Sequence, residues 1–69
     1  MGKRSVTIDP TGVDIALTVH NAGVRDRLVH RTRAGAILTL SRWGLKNPTK
    51  HVDAAIDANE PTSVVIQTR

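Results

Sequence analysis

The sequence predicts a single small α+β domain, and three observations support this class. Residues 4–8 carry β-branched side chains with a period of two, which is typical of a short strand. Residues 22–43 repeat apolar side chains at intervals of four, which indicates an amphipathic helix. Residues 62–68 form the most strand-like run of the chain. Because no linker or repeat divides residues 1–69, we expect one domain.

Residues 10–20 allow two interpretations. Asp9 suits a helix N-cap and Pro10 suits the first helical position, which favours a helix. Apolar residues in the same segment also alternate with polar or small ones, as in a half-buried strand: Val13, Ile15, Leu17 and Val19. We give the cap more weight and predict a helix over residues 10–20.

The clearest predicted element is the helix over residues 22–43. Gly35 in a helix interior costs about 1 kcal/mol relative to Ala, so we expect it to mark the close approach of another backbone. Gly44 suits the position after the last helical turn. The residues expected to pack in the core or against another subunit are Val24, Leu28, Gly35, Ala36, Leu40 and Trp43.

The segment after Gly44 is ambiguous. Apolar residues over 52–58 alternate as in a strand, whereas Asn47-Pro48 would begin a helix that buries Val52, Ala55 and Ile56. We predict a C-terminal β-hairpin of residues 50–58 and 62–68, to which the N-terminal strand could add, and keep the helix as the alternative.

Length and composition restrict the function. A chain of 69 residues buries only a small core, so we expect stabilisation by association with copies of itself or with a larger partner. Without cysteine there is no disulfide and no thiolate metal site. Trp43 is the only aromatic residue, so we expect no deep pocket for a small-molecule substrate. No segment has the roughly 20 apolar residues of a membrane span, and the N-terminus does not follow the pattern of a signal peptide.

Catalytic, cofactor and metal sites are not expected. His20, His30 and His51 lack the four-residue spacing and the acidic companion of a helical metal site. Asp53 and Asp57 are four residues apart, but no nucleophile or phosphate-binding loop lies near them in the sequence, so a solvated acidic edge is the simpler interpretation. We therefore predict that the protein is not an enzyme.

Positive charge is concentrated in the middle of the chain. The formal net charge is +4, and residues 21–43 hold five arginines against one acidic residue, Asp26. Arg27 and Arg31 would share a helix stripe, where guanidinium groups can bind phosphates bidentately. A basic face that only aids solubility is the alternative. The residues expected to contact DNA or an acidic protein are Arg25, Arg27, Arg31, Arg33 and Arg42.

Three motifs follow one another along the chain: Ile-Asp-Pro-Thr-Gly-Val from Ile8, Asn-Ala-Gly-Val-Arg-Asp-Arg-Leu from Asn21, and an Arg- and Ala-rich segment ending near Trp43. In this order they resemble the small head-to-tail joining, or tail-completion, proteins of long-tailed actinobacterial phages. Members commonly have a short strand, an Asp/Asn-Pro-x-Gly helix start, a Gly-Val corner and a long Ala/Arg helix, followed by strands. The similarity covers roughly residues 5–43, and the chain lacks the usual acidic C-terminal motif.

The resemblance implies a structural virion subunit, assembled in the host cytoplasm and packed as a ring in the head-tail connector, or neck. Its partners would be copies of itself, other neck, portal or tail proteins, and genomic DNA in a channel lined by the arginines. Strand edges at residues 4–8 and 62–68 would be covered by adjacent subunits or would add to a partner sheet.

A second predicted function is a small DNA-binding regulator with a helix-turn-helix in residues 36–58. The first helix would end at Trp43, and the recognition helix would begin at Pro48 and place Thr49, Lys50 and His51 against bases. The acidic residues that follow fit poorly against phosphates. A helix over residues 48–58 favours the regulator, whereas a strand paired with residues 62–68 favours the assembly protein.

Overall fold

The computed structural model describes residues 4–21 and 23–66, which form four strands and two helices. This confirms the predicted α+β class. The elements in chain order are β1 (Arg4–Asp9), β2 (Ile15–Asn21), β3 (Val24–His30), α1 (Arg33–Arg42), α2 (Pro48–Ala58) and β4 (Thr62–Ile66).

The four strands form one antiparallel sheet in the order β3-β2-β1-β4. Tight connections join β1 to β2 and β2 to β3, and after both helices the chain returns as β4 beside β1. Ile8 in β1 therefore lies opposite Leu17 in β2 and Thr62 in β4.

Both helices pack on the same face of the sheet, because one core cluster contains side chains from both layers. Thr32 begins α1 by accepting a hydrogen bond from the backbone N–H of Gly35 at 3.1 Å. The buried cluster consists of Val6, Ile8, Leu17 and Ile66 from the sheet, Ala36, Leu40, Val52 and Ala55 from the helices, and Leu45 from the turn between the helices.

The helix predicted over residues 10–20 is wrong. Residues 11–14 form a hairpin loop, and the alternating apolar residues belong to β2, with Leu17 fully buried. The Asp9 carboxylate caps a turn instead of a helix, since its Oδ1 accepts hydrogen bonds from the backbone N–H and the hydroxyl of Thr11.

The helix predicted over residues 22–43 is wrong in its first part, which is strand β3; only α1 is helical. Gly23, with φ of 85°, makes the turn between β2 and β3, and Ala22 lies outside the described residues. Positions four apart share a face of a strand as well as a face of a helix, so the spacing of Val24 and Leu28 fits both.

The strand predicted over residues 50–58 is also wrong, and the alternative helix is correct. Pro48 occupies the start of α2, and Val52 and Ala55, three residues apart, are its buried residues. The predicted hairpin is therefore absent: β4 pairs with β1, and its predicted residues 67 and 68 lie outside the described part of the chain. Since β1 is an interior strand, the open edge expected at residues 4–8 is wrong, and the edges are β3 and β4.

Candidate nucleic-acid interface

The sheet has one face covered by the helices and one open face. Directly opposed residues of an antiparallel sheet point to the same side, so the register assigns each side chain to a face. Arg25 lies opposite His20, and Arg27 lies opposite Thr18. In the same row as Thr18, the hydroxyls of Thr7 and Ser63 lie 3.1 Å apart. The open face is therefore rich in hydroxyl groups and carries two arginines on its edge strand.

The helix stripe predicted for Arg27 and Arg31 is wrong, because Arg27 lies in strand β3 and Arg31 lies in the bend after it. Arg25 and Arg27 are exposed neighbours on the open face, because alternate residues of β3 point to the same side. Arg31 is exposed in the bend after β3, and Arg42 is the exposed last residue of α1. Of the predicted set, only Arg25 and Arg27 are brought side by side by the fold.

Arg33 is engaged within the protein. Its Nε and Nη2 donate to the two carboxylate oxygens of Asp53 on α2, at 2.5 and 2.9 Å. These hydrogen bonds and the charge of Arg33 hold the pKa of Asp53 below its usual value, and the same contact raises the pKa of Arg33. Arg33 therefore joins α1 to α2 and has fewer donors left for a partner.

The residues predicted for packing have different positions. Ala36 and Leu40 are fully buried, and Trp43 is partly buried against the core cluster. Leu28 is 46% exposed at the sheet edge, and the side chain of Val24 is not described.

Gly35 lies against a side chain and not against another backbone, since a Cβ at this position would come within 3.2 Å of Nδ1 of His30. The Nε2 of that histidine is hydrogen-bonded to the Thr39 hydroxyl at 2.9 Å.

Cations from distant parts of the sequence meet at one end of the molecule. The Nη2 of Arg4, at the start of β1, donates to the backbone oxygen of Trp43 at 2.9 Å, which places the end of α1 beside the start of β1. The pairing of β1, β2 and β3 brings the start of β3 to the same end, and α2 begins there after a short turn. We call this end the basic end, and its cations are Arg4, Arg25, Arg42, Lys46 and Lys50.

The carboxylates gather toward the opposite end. Of the six acidic residues, only Asp26 lies in the half nearer the basic end. Within residues 4–21 and 23–66, the cations outside the basic end are Arg31 and Arg33 at the far end and Arg27, which lines a cavity together with Asp9 and Asp14. The loop after β1, the second half of α2 and the turn before β4 hold the other five: Asp9, Asp14, Asp53, Asp57 and Glu60. The two ends of the strands therefore differ in charge, since the basic end holds five cations and the opposite end holds five of the six carboxylates.

Sequence reasoning missed two members of the basic end, Arg4 and Lys46, and named Lys50 only in the helix-turn-helix interpretation. Nothing in the linear charge distribution links Arg4 to a lysine more than forty residues later. The link depends on sheet order and on the hydrogen bond to Trp43, neither of which the sequence pattern reveals.

An open cavity of about 280 Å³ lies near the acidic end, beside the hairpin loop. Asp9, Thr11, Asp14 and Arg27 are among its lining residues. The hydrogen bonds from Thr11 and the nearby charge of Arg27 lower the pKa of Asp9. Among residues 4–21 and 23–66, no three His, Asp or Glu side chains are grouped to hold a metal ion, and neither helix is long and apolar enough to cross a membrane.

Comparisons with family models, with curated proteins and with solved structures found no match to this chain. The fold and the distribution of charge are therefore the basis for inferring its function.

Proposed function

We propose that this chain is a small non-catalytic nucleic-acid-binding module, which contacts phosphates through its basic end. The observation that carries the proposal is the helix-turn-helix of α1 and α2, whose turn lies among the clustered cations. The helix over residues 48–58 is also the secondary structure that favours a DNA-binding protein over the assembly protein.

The start of α2 has two features that suit a phosphate. A helix N-terminus carries a partial positive charge and backbone N–H groups without partners inside the helix. The side chain of Asn47, the N-cap, makes no capping hydrogen bond, so it leaves these N–H groups free of that competitor. Exposed Lys46 and Lys50 lie on either side of this position, and Arg42 lies on the other side of the turn.

The distribution of charge along α2 restricts how DNA could approach. Asp53 is paired with Arg33, and the exposed Asp57 follows one turn later. These carboxylates would oppose insertion of the whole helix along a groove. The proposed contact is therefore made by the first turn of α2 and by the preceding turn, and it positions phosphates without reading the base sequence.

The test is the salt dependence of binding to a labelled duplex, measured by fluorescence anisotropy. Each phosphate contact contributes a slope of about −0.9 to the logarithm of affinity against the logarithm of salt concentration. Contacts from Arg25, Arg42, Lys46 and Lys50 would give a slope of roughly −3 to −4. Replacing Lys50→Gln should weaken binding and reduce the magnitude of the slope by about 0.9.

The matched control is Arg31→Gln, which lowers the net charge by the same amount but at the far end of the molecule. It should leave the slope within about 0.3 of the unmodified protein, because no phosphate contact is lost. Equal effects of the two variants would indicate only a nonspecific response to net charge. No duplex binding at low salt would refute the proposal.

A structural subunit of a phage head-tail connector remains a second proposal, favoured by the outer edges of β3 and β4, which have no partner strand among residues 4–21 and 23–66 and lie on opposite sides of the sheet. Such edges can join head to tail, and this geometry closes into a ring when the rotation between subunits allows it. The segments that carry the resemblance, however, form a hairpin loop and strand β3 where the phage proteins have helices.

Light scattering of the purified chain tests this second proposal. A ring of several subunits, or co-assembly with neck, portal or tail proteins, would support it. A particle no larger than a dimer that fails to associate with those proteins would contradict it.

A further inference from the structure

The edge strand β3 has an outer side without a partner strand in the described part of the chain. We propose that two copies of the protein pair through β3, antiparallel, about a two-fold axis at Leu28. The four strands of each copy would then form one continuous eight-stranded sheet. This inference does not depend on the proposed function, because it uses neither the basic end nor nucleic acid.

β3 suits this role better than the other edge strand. Within the described residues it has seven residues, against five in β4, and like β4 it contains neither proline nor lysine, two residues that commonly block edge pairing. Leu28 and Val29 are each 46% exposed, although Leu28 lies opposite the fully buried Leu17 in β2. Nearly half of the Leu28 side chain, which is on the same side of the sheet as the core, is thus exposed to solvent at the edge.

Charge decides the register. A two-fold axis perpendicular to the sheet keeps each face on its own side, so each residue meets a partner residue from the same face. An axis at Asp26 would oppose two aspartates, and an axis at Arg27 would oppose two arginines, both of which are unfavourable. An axis at Val29 would pair only residues 28–30 of the strand.

An axis at Leu28 avoids all three problems. It places Leu28 against the partner's Leu28, and it pairs residues 26–30 of both strands. Asp26 then lies opposite the partner's His30, so the two aspartates do not face each other. Arg27 lies opposite the partner's Val29, so no two like charges face each other within the paired segment.

Cysteine scanning tests both the pairing and its register. The chain contains no cysteine, so Leu28→Cys introduces the only thiol. Directly opposed Cβ atoms lie about 4.5–5.5 Å apart, close to the separation that a disulfide requires. Under mild oxidation, Leu28→Cys should form a covalent dimer at least ten times faster than Arg27→Cys, Val29→Cys or the control Val65→Cys on β4, which is similarly exposed.

A second measurement does not depend on disulfide formation. The unmodified chain should change from monomer to dimer with rising concentration in analytical ultracentrifugation. Leu28→Lys should remain monomeric, whereas the control Leu38→Lys, at an exposed leucine of α1, should still dimerise. A monomer at every concentration, or crosslinking of Leu28→Cys no faster than that of Val65→Cys, would overturn the proposal. A ring that joins β3 to β4 would also overturn it, since Leu28 would then face a different strand.

Discussion

Leu38 and Leu40 provide a direct test of how α1 packs on the sheet. They lie two residues apart on one helix, but Leu40 is fully buried in the core cluster and Leu38 is 55% exposed. Truncating a buried leucine to alanine costs about 2–5 kcal/mol, from lost burial and from the cavity that remains. We expect Leu40→Ala to lower the free energy of unfolding by about 3 kcal/mol and Leu38→Ala to change it by less than about 0.5 kcal/mol.

The expected loss is large for this chain. Sixty-nine residues at typical stability give roughly 3–10 kcal/mol in total, so Leu40→Ala would remove at least about 30% of it. With a slope near 1 kcal/mol/M in urea, the unfolding midpoint should fall by about 3 M. Both variants replace leucine by alanine within α1, so the change in helix propensity is the same and cancels in the comparison.

Urea unfolding followed by the fluorescence of Trp43 measures both variants, since this single aromatic side chain packs against the core cluster. A protein that is already unfolded without urea would agree with the expectation for Leu40→Ala. Equal destabilisation by the two variants would show that α1 does not present Leu40 to the sheet, and would refute the packing described above.

Two further predictions concern the ion pair and a turn. Asp53→Asn removes a carboxylate whose pKa in the folded protein is lowered by Arg33. The ion pair stabilises the fold fully above the pKa of about 3.9 that an aspartate has in the unfolded chain, and this stabilisation is lost as the pH falls through the lower pKa of the folded protein. The thermal midpoint of Asp53→Asn should therefore fall less than that of the unmodified chain as the pH is lowered below about 4, and parallel curves would contradict this. Gly44→Ala should cost about 1–2 kcal/mol in urea unfolding because Gly44 has φ of 94°, whereas Gly12→Ala, which has neither positive φ nor a close contact, should be nearly neutral.

The limits of sequence-based prediction are clearest at the two Asx-Pro pairs. Asp9-Pro10 and Asn47-Pro48 both look like helix starts, but only the second begins a helix. The difference lies in the residues that follow. Isoleucine, leucine, threonine and valine dominate β2, whereas alanine is the most frequent residue of α2.

 The alanines of α2 are Ala54, Ala55 and Ala58. Their high helix propensity, against the β-branched residues of β2, is the signal that separates the two segments.

The segment from Val24 to Arg42 shows a second limit. Steps of four residues fit one face of a helix, and they also fit one face of a strand because four is a multiple of two. The pattern therefore continues without a break from β3 into α1. The available signal for the boundary was local: Thr32 is a good N-cap, and its hydroxyl accepts from the backbone N–H of Gly35.

The candidate site could be predicted only in part. The excess of arginine in the middle of the chain predicts a basic surface, and Arg25, Arg27 and Arg42 are exposed, while their contact with a partner stays a prediction. Their grouping could not be predicted, because it depends on which ends of the strands and helices meet. Arg33 shows the same limit, since its partner Asp53 is twenty residues away and on the other helix.

The two proposals together have a geometric consequence. β3 begins at the basic end and runs toward the acidic end, so antiparallel pairing of two copies places the basic end of one beside the acidic end of the other. This arrangement brings opposite charges together across the dimer and leaves the two basic ends pointing in opposite directions. A monomer would present one phosphate-binding end, whereas the dimer would present two that cannot contact the same short stretch of duplex. Dimerisation through Leu28 would therefore allow the protein to bridge two segments of nucleic acid, and Leu28→Lys would separate bridging from binding because it leaves every cation of the basic end in place.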